Sequence, residues 1–266
     1  MDMIPKNIFT SVPNAQNIDE RLVRNYTEIA KLNPGWTHTI FDDFSGREFI
    51  QENYDSEILR VYLSINRSYG AARADFFRYL LIYNLGGVWL DAKSTSTKPF
   101  SNLIQDNDQL LLSHWSDPTT GSANELFWGE RSRIPIYEFQ NWWLIARPKH
   151  PSFEKLIVDI CKNIDTYSAL RHGVGRMGVL CTTGPLAFTR SLYPTLTNKN
   201  HRIIEAEKEG LVYTIFDQIF THRSVIGTNY GKVKAPLVSA GWRGSLEAFL
   251  ADSFMTCKRV IRKLKK

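Results

Sequence analysis

Residues 69–100, YGAARADFFRYLLIYNLGGVWLDAKSTSTKPF, spell a helix, a reversal and a strand in that order. Nothing between Tyr69 and Leu85 breaks a helix, and apolar residues fall on every side of it. That pattern predicts a helix buried inside a larger fold rather than an amphipathic one at a surface. Gly86-Gly87 ends it, and Val88-Trp89-Leu90 makes a short apolar strand that delivers Asp91 at its carboxyl end. That end of the strands is where α/β sheets hold ligands. The helix carries charge only at Arg73, Asp75 and Arg78. Buried charges are costly unless paired, so these three must serve one another or a ligand. Asp75 and Arg78 are spaced i, i+3 and share a face. A structural pair beside a strand-ending Asp is one reading; a binding site is the other, and the order helix, Gly-Gly, strand, Asp favours it.

Outward from this stretch, 266 residues can bury roughly three quarters of the unfolded surface without a disulfide or metal staple. We read residues 1–245 as one α/β domain and residues 246–266 as a basic amphipathic C-terminal helix or tail. Cys161, Cys181 and Cys257 are scattered and form no CxxC, which argues against a disulfide framework or a zinc site and for a reducing compartment. The opening MDMIPKNIFTSVPN shows no basic and apolar leader, so a cytoplasmic location is expected. The net charge of +6 is matched by six cations in the tail, Lys258, Arg259, Arg262, Lys263, Lys265 and Lys266. The domain itself is near neutral, which excludes nucleic acid as its expected partner. The tail suits an anionic membrane surface, or it packs its apolar stripe on the domain; the sequence leaves both open.

Along the chain, Ile4–Thr10 reads as a strand, Ile18–Leu32 as a helix with Asn17 as a cap, Asn33-Pro34-Gly35 as a stop, and Trp36–Phe41 as a second strand. Asp42-Asp43 reads as a turn and helix cap rather than a metal site, and Phe44–Tyr54 as the helix it opens. Strand, helix, strand, helix predicts a parallel sheet. Further strands are expected at Gln109–Trp115 and Tyr137–Ala146, with a polar loop at Asp117–Pro135 between them. His150, between prolines, reads as a turn residue, and Ser152–Tyr167 as a helix. HGVGRMGV at 172–179 lacks the preceding strand and later acidic residue of a dinucleotide fingerprint and reads as a loop. Thr183 reads as the cap of a helix through Tyr193. Lys232, Lys234 and Arg243 lie among glycines; they are diphosphate candidates or ordinary surface charge.

The opening IPKNIF, NPGW at 33–36, ARADFFRY with LGGVWLD at 72–91, FQNWWLIARPKHPSF at 139–153 and TGP at 183–185 resemble the DXD-containing glycosyltransferases. That family includes capsular polysaccharide synthesis proteins and initiating mannosyltransferases. The resemblance implies a GT-A-like α/β/α sandwich with a mostly parallel central sheet and a helical C-terminal addition. It implies transfer of a hexose, with retention, from a nucleotide-sugar to a glycan or lipid-linked acceptor, in capsular or cell-surface polysaccharide synthesis. It also implies Mn2+ or Mg2+ as cofactor. Asp75 and Arg78 match the family's holders of the donor sugar's hydroxyls and phosphate, and Asp91 matches the first Asp of the DXD and its metal ligand. Phe9, Thr10, Trp36, Arg73, Lys93 and Asn141 complete the implied donor-binding set, with Glu138 near Asn141.

The sequence departs from the family where the second Asp should stand, reading Asp91-Ala92-Lys93. A charged lysine cannot ligate a hard cation. Three arrangements are open: a metal held by Asp91, diphosphate and waters; Lys93 neutralising the diphosphate itself; or a nucleotide-sugar-binding module without turnover. Retained metal dependence in an active enzyme is the expectation.

Overall fold

The computed structural model describes residues 3–115, 138–197, 199–216, 230–239, 246–250 and 253. The first strand, β1 (Asn7–Ser11), is followed by α1 (Glu20–Leu32), β2 (Thr37–Phe41), α2 (Asp43–Asn53), α3 (Ser56–Ser64), α4 (Gly70–Leu85) and β3 (Gly87–Leu90). Then come β4 (Thr95–Ser96), α5 (Phe100–Leu103), β5 (Leu110–Leu112), β6 (Trp143–Ala146), α6 (Pro151–Asp165), α7 (Ala169–His172), α8 (Gly175–Thr182), α9 (Pro185–Leu192), β7 (Arg202–Ile203) and β8 (Leu211–Val212).

Six of these strands form one sheet in the order β2-β1-β3-β6-β5-β7, and β4 pairs with β8 in a second. Among the described strands of the main sheet, only β6 runs against its neighbours. Because successive side chains on a strand point to opposite faces, the apolar strands divide two cores between them. Phe9, Trp89, Leu110, Leu112, Leu144 and Ala146 face a core filled by α2, α3, α4, α6, α8 and α9. Ile8, Val88, Leu90, Leu111, Trp143 and Ile145 face the other, under α1 and α5. The expected sandwich of helices on both faces of a mostly parallel sheet is what results.

α4 is buried nearly throughout, as its all-round apolar pattern predicts. Its exit needs two glycines. Gly86 and Gly87 have φ of 63° and 102°, and a Cβ on Gly87 would lie 2.6 Å from the Asn7 carbonyl oxygen of β1. The strand can thus begin at the centre of the sheet one residue after the helix ends.

Local chemistry placed many boundaries, but the strand expected over Tyr137–Ala146 begins only at Trp143, and four further corrections follow. Asp19, not Asn17, caps α1, accepting from the Arg21 amide at 2.9 Å. The extra helix α3, capped by Asp55, follows α2 with little break. The HGVGRMGV segment is not a loop, since Gly175 begins α8. Gly184 caps α9, and the Thr183 hydroxyl goes elsewhere. Asp42 does cap α2, through a capping box with Ser45. His150 caps α6 as a turn residue, its Nδ1 accepting from the Ser152 amide. The 117–135 loop and the tail from residue 254 lie outside the described residues. Helical residues 246–250 reach α7 through Ser168, whose hydroxyl donates to Glu247 Oε2 at 2.7 Å. Among the described residues no helix is long and apolar enough to cross a membrane.

Candidate active site

α4 and β3 run back to back, so Asp75 and Arg78 on the helix face the residues just past the end of the strand. Arg78 Nη2 donates to Asp75 Oδ1 at 2.5 Å, and Nη1 donates to Asp91 Oδ1 at 2.9 Å. Nη1 also donates to the backbone oxygen of Asn141. Lys93 Nζ donates to Asp91 Oδ2 at 2.9 Å. The four side chains form a line of alternating charge, Asp75, Arg78, Asp91, Lys93, balanced in total. Three are 6–7% exposed; Asp91, at 23%, is the most open member of the line.

Each member has further partners. Asn141 Nδ2 donates to Asp75 Oδ1 at 3.3 Å and to the Tyr79 hydroxyl at 2.9 Å. The Thr183 hydroxyl donates to Asp75 Oδ2 at 3.2 Å, and the Tyr79 hydroxyl donates to the Thr183 carbonyl. Trp89 Nε1 donates to Asp91 Oδ1 at 3.3 Å, and its ring lies under the Arg78 guanidinium. The Lys93 ammonium sits 4.2 Å from the centre of the Tyr213 ring. Tyr213 also packs edge-on against Trp115 and Trp142, and Trp115 Nε1 donates to Glu138.

The segment after Asp91 is clamped. The Trp142 carbonyl accepts from the Asp91 amide, the Lys93 carbonyl accepts from the Ile215 amide, and the Ala92 and Ser94 carbonyls accept from Tyr26 and Asn25 of α1. These bonds fix the backbone from which the Lys93 side chain reaches Asp91 and the Tyr213 ring.

The charges follow from the surroundings. Burial pushes the Asp75 carboxyl up to about 6, with Arg78 opposing. For Asp91 burial also pushes upward, but Arg78 and Lys93 outweigh it and hold the carboxyl below its ordinary value. Burial works against the Lys93 ammonium, yet Asp91 wins and its pKa is raised, so it stays charged. Tyr230 is within reach as well: burial first, then the Asp75 charge, raises its hydroxyl.

The structure therefore joins Asp75, Arg78, Asp91, Lys93 and Asn141, all singled out in the sequence, and leaves other expected residues apart. Arg73 turns to a different face of α4, where Nε and Nη2 donate to the Ile65 carbonyl and Nη1 to Asp43; its role is structural. Trp36 packs on Phe100 and precedes Thr37, which pairs with Asn7 at the amino end of the sheet. Asp91 lies past the other end, five residues further along and roughly 16 Å away at strand rise, so Trp36 cannot stack a donor base there. Phe9 points into the core, and its backbone lies between Thr39 and Trp89 in the ladder. Thr10, also buried, faces His38 Nε2 at 3.3 Å. Lys232 and Lys234 are exposed residues of the 230–239 segment, outside the four-membered line; Arg243 lies outside the described residues. Thr183, Tyr79, Tyr213 and Tyr230 were not anticipated. Tyr79, at i+4 from Asp75, could have been found by helical spacing; Tyr213 carries no local signal.

Asp91 was also the expected ligand of Mn2+ or Mg2+, and the residues present do not fit such an ion. Hard divalent cations need several oxygen ligands, and a fixed cation beside the site opposes their binding. Both Asp91 oxygens already accept from Arg78, Trp89 and Lys93. No group of three His, Cys, Asp or Glu residues suited to a metal occurs among the described residues. A metal bonded to Asp91 Oδ2, itself 2.9 Å from the Lys93 ammonium, would lie within about 5 Å of that ammonium, where like charges repel.

Residues 19–110, spanning α1 to the start of β5, match the family described as glycosyltransferase sugar-binding region containing DXD motif. The initiation-specific alpha-1,6-mannosyltransferase of Schizosaccharomyces pombe is 26% identical over 166 residues, 58% of this chain and 39% of that protein. Its namesake in Candida albicans is 22% identical over 213 residues, 73% of this chain and 54% of that protein. The chain thus spans about half or less of the length of these relatives. Among solved structures, the PaToxG glycosyltransferase superposes with a TM-score of 0.53 at 18% identity, covering 73% of this chain and 71% of that one. The fold is of the GT-A type.

Proposed function

We propose that this chain, whose residues 19–110 match a DXD-containing sugar-binding region, is a glycosyltransferase that moves a hexose from a nucleotide-sugar to a hydroxyl acceptor. The observation that carries the reading is the line Asp75, Arg78, Asp91, Lys93 at the carboxyl end of β3. A half-open carboxylate flanked by two fixed cations suits a ligand that pairs sugar hydroxyls, which donate to Asp91, with a diphosphate, which accepts from a cation. Mannose is the first sugar to test, because the relatives above are mannosyltransferases.

We expect transfer with retention of anomeric configuration. The acceptor hydroxyl enters on the face the diphosphate leaves, and the departing phosphate takes the acceptor's proton. No strong base is then required; positioning and charge stabilisation lower the barrier. The acceptor we favour is a capsular or other cell-surface glycan, reached from the cytoplasmic face of a membrane with help from the basic tail.

The alternative is a module that holds a nucleotide-sugar without turning it over, favoured by the closed pairing of Arg78 and Asp75. A screen of nucleotide-sugars, reading released nucleotide and the anomeric proton of any product by NMR, separates the two. Release or transfer with at least one donor is expected; none with any donor, with or without Mn2+, refutes the enzyme.

A further inference from the structure

We infer that Lys93 takes the place of the divalent ion: the site binds the donor's diphosphate through the Lys93 ammonium and needs no metal. This rests on the nucleotide-sugar reading and says how that site handles the diphosphate charge. The geometry carries it. Lys93 lies two residues past Asp91, its ammonium is 2.9 Å from Asp91 Oδ2, and its side chain is 7% exposed. A surface lysine would average over many positions; this one is held at both ends. Its carbonyl accepts from the Ile215 amide, and its ammonium rests against the Tyr213 ring, whose own carbonyl accepts from the Ser94 hydroxyl.

A lysine ammonium has three N–H donors, and Asp91 uses one of them. The other two stand beside Asp91, whose side chain is 23% exposed and the most open of the line. A diphosphate oxygen arriving there meets an ammonium already desolvated and already charged, and it need not recruit a cation from solution. A divalent ion arriving first meets a carboxylate whose oxygens are engaged and a neighbouring charge of its own sign. Lys93 therefore both supplies the cation and excludes the metal.

The test is isothermal titration of UDP and of GDP, in chelator and in millimolar MnCl2, into the wild-type protein, Lys93→Met and Lys93→Asp, with circular dichroism to confirm folding. Wild type should bind at least one nucleotide equally, within about twofold, in both conditions. Losing a charge-assisted hydrogen bond should weaken Lys93→Met by ~10-fold or more. Lys93→Asp should bind weakly in chelator and be rescued by Mn2+, because it recreates the second carboxylate. Should either variant fail to fold, titration of wild type with MnCl2 alone, followed by electron paramagnetic resonance, carries the test, and no stoichiometric Mn2+ is expected. Nucleotide binding by wild type that requires Mn2+, or a stoichiometric Mn2+ in wild type, overturns the inference and leaves the enzyme reading standing. Binding of neither nucleotide in either condition overturns both.

Discussion

Replacing Arg78 by Met keeps an apolar stem on α4 and removes the cation shared by two carboxylates. Its Nη2 lies 2.5 Å from Asp75 and its Nη1 2.9 Å from Asp91, with the side chain 6% exposed. Breaking a buried ion pair by deleting one partner costs about 3–5 kcal/mol. Asp91 keeps Lys93, so the uncompensated charge falls mainly on Asp75 and the loss should stay near about 4 kcal/mol rather than double. In a chain of this size each kcal/mol moves Tm by about 2–4 °C, so Tm should fall by roughly 8–16 °C.

The pH dependence gives the sharper signature. Asp75 already has a folded pKa of about 6, above the ordinary 3.8, with Arg78 pulling it down. Without Arg78 it rises further. A group whose folded pKa is raised contributes stability below its unfolded pKa and loses it as pH climbs through the folded value. The variant therefore loses more than wild type as pH rises. Asp91, whose carboxyl Arg78 helps hold low, adds in the same sense, because its contribution is present above the unfolded pKa and lost in acid. The deficit of Arg78→Met, read by urea denaturation followed by circular dichroism, should be largest near pH 8 and shrink towards pH 5. A deficit under about 1 kcal/mol, or one equal at both pH values, would mean that Arg78 does not hold the two carboxylates.

Thr183→Val removes a hydroxyl donor from buried Asp75 at nearly constant shape. It should cost about 1–2 kcal/mol and raise the Asp75 carboxyl above its wild-type value of about 6, since the lost bond had favoured the carboxylate; a stability difference from wild type that is the same at pH 5 and pH 8 would refute that role. Truncation after Thr256 deletes six cations, each worth about 1 kcal/mol near an anionic bilayer. Cosedimentation with phosphatidylserine vesicles should fall while nucleotide release stays unchanged, and equal cosedimentation would discard the tail as an anchor.

Much of the frame was legible in the chain because it depends on neighbours. The Asp42 cap, the stop at Asn33-Pro34-Gly35, the buried character of α4 and the Gly-Gly reversal into β3 are each set within a few residues. Asp75, Arg78, Asp91, Lys93 and Asn141 were legible as chemistry, since charge and amide groups among apolar residues need partners. Which partners they found was not. Arg73 and Arg78 are both buried cations of one helix, five residues apart and so on different faces; packing turned the first to Asp43 and Ile65 and the second to the strand ends. Thr183 looks like a cap by its neighbours, yet it reaches Asp75 across 108 positions of sequence.

Lys93 divides the two kinds of information most clearly. Its identity was plain in the residue order, and with it the loss of a second metal-binding carboxylate. Whether its ammonium would point to solvent or fold back on Asp91 was decided by Tyr213 and Ile215. A flexible four-carbon stem has no preferred direction of its own, so only the packing of a segment more than a hundred residues later could aim it.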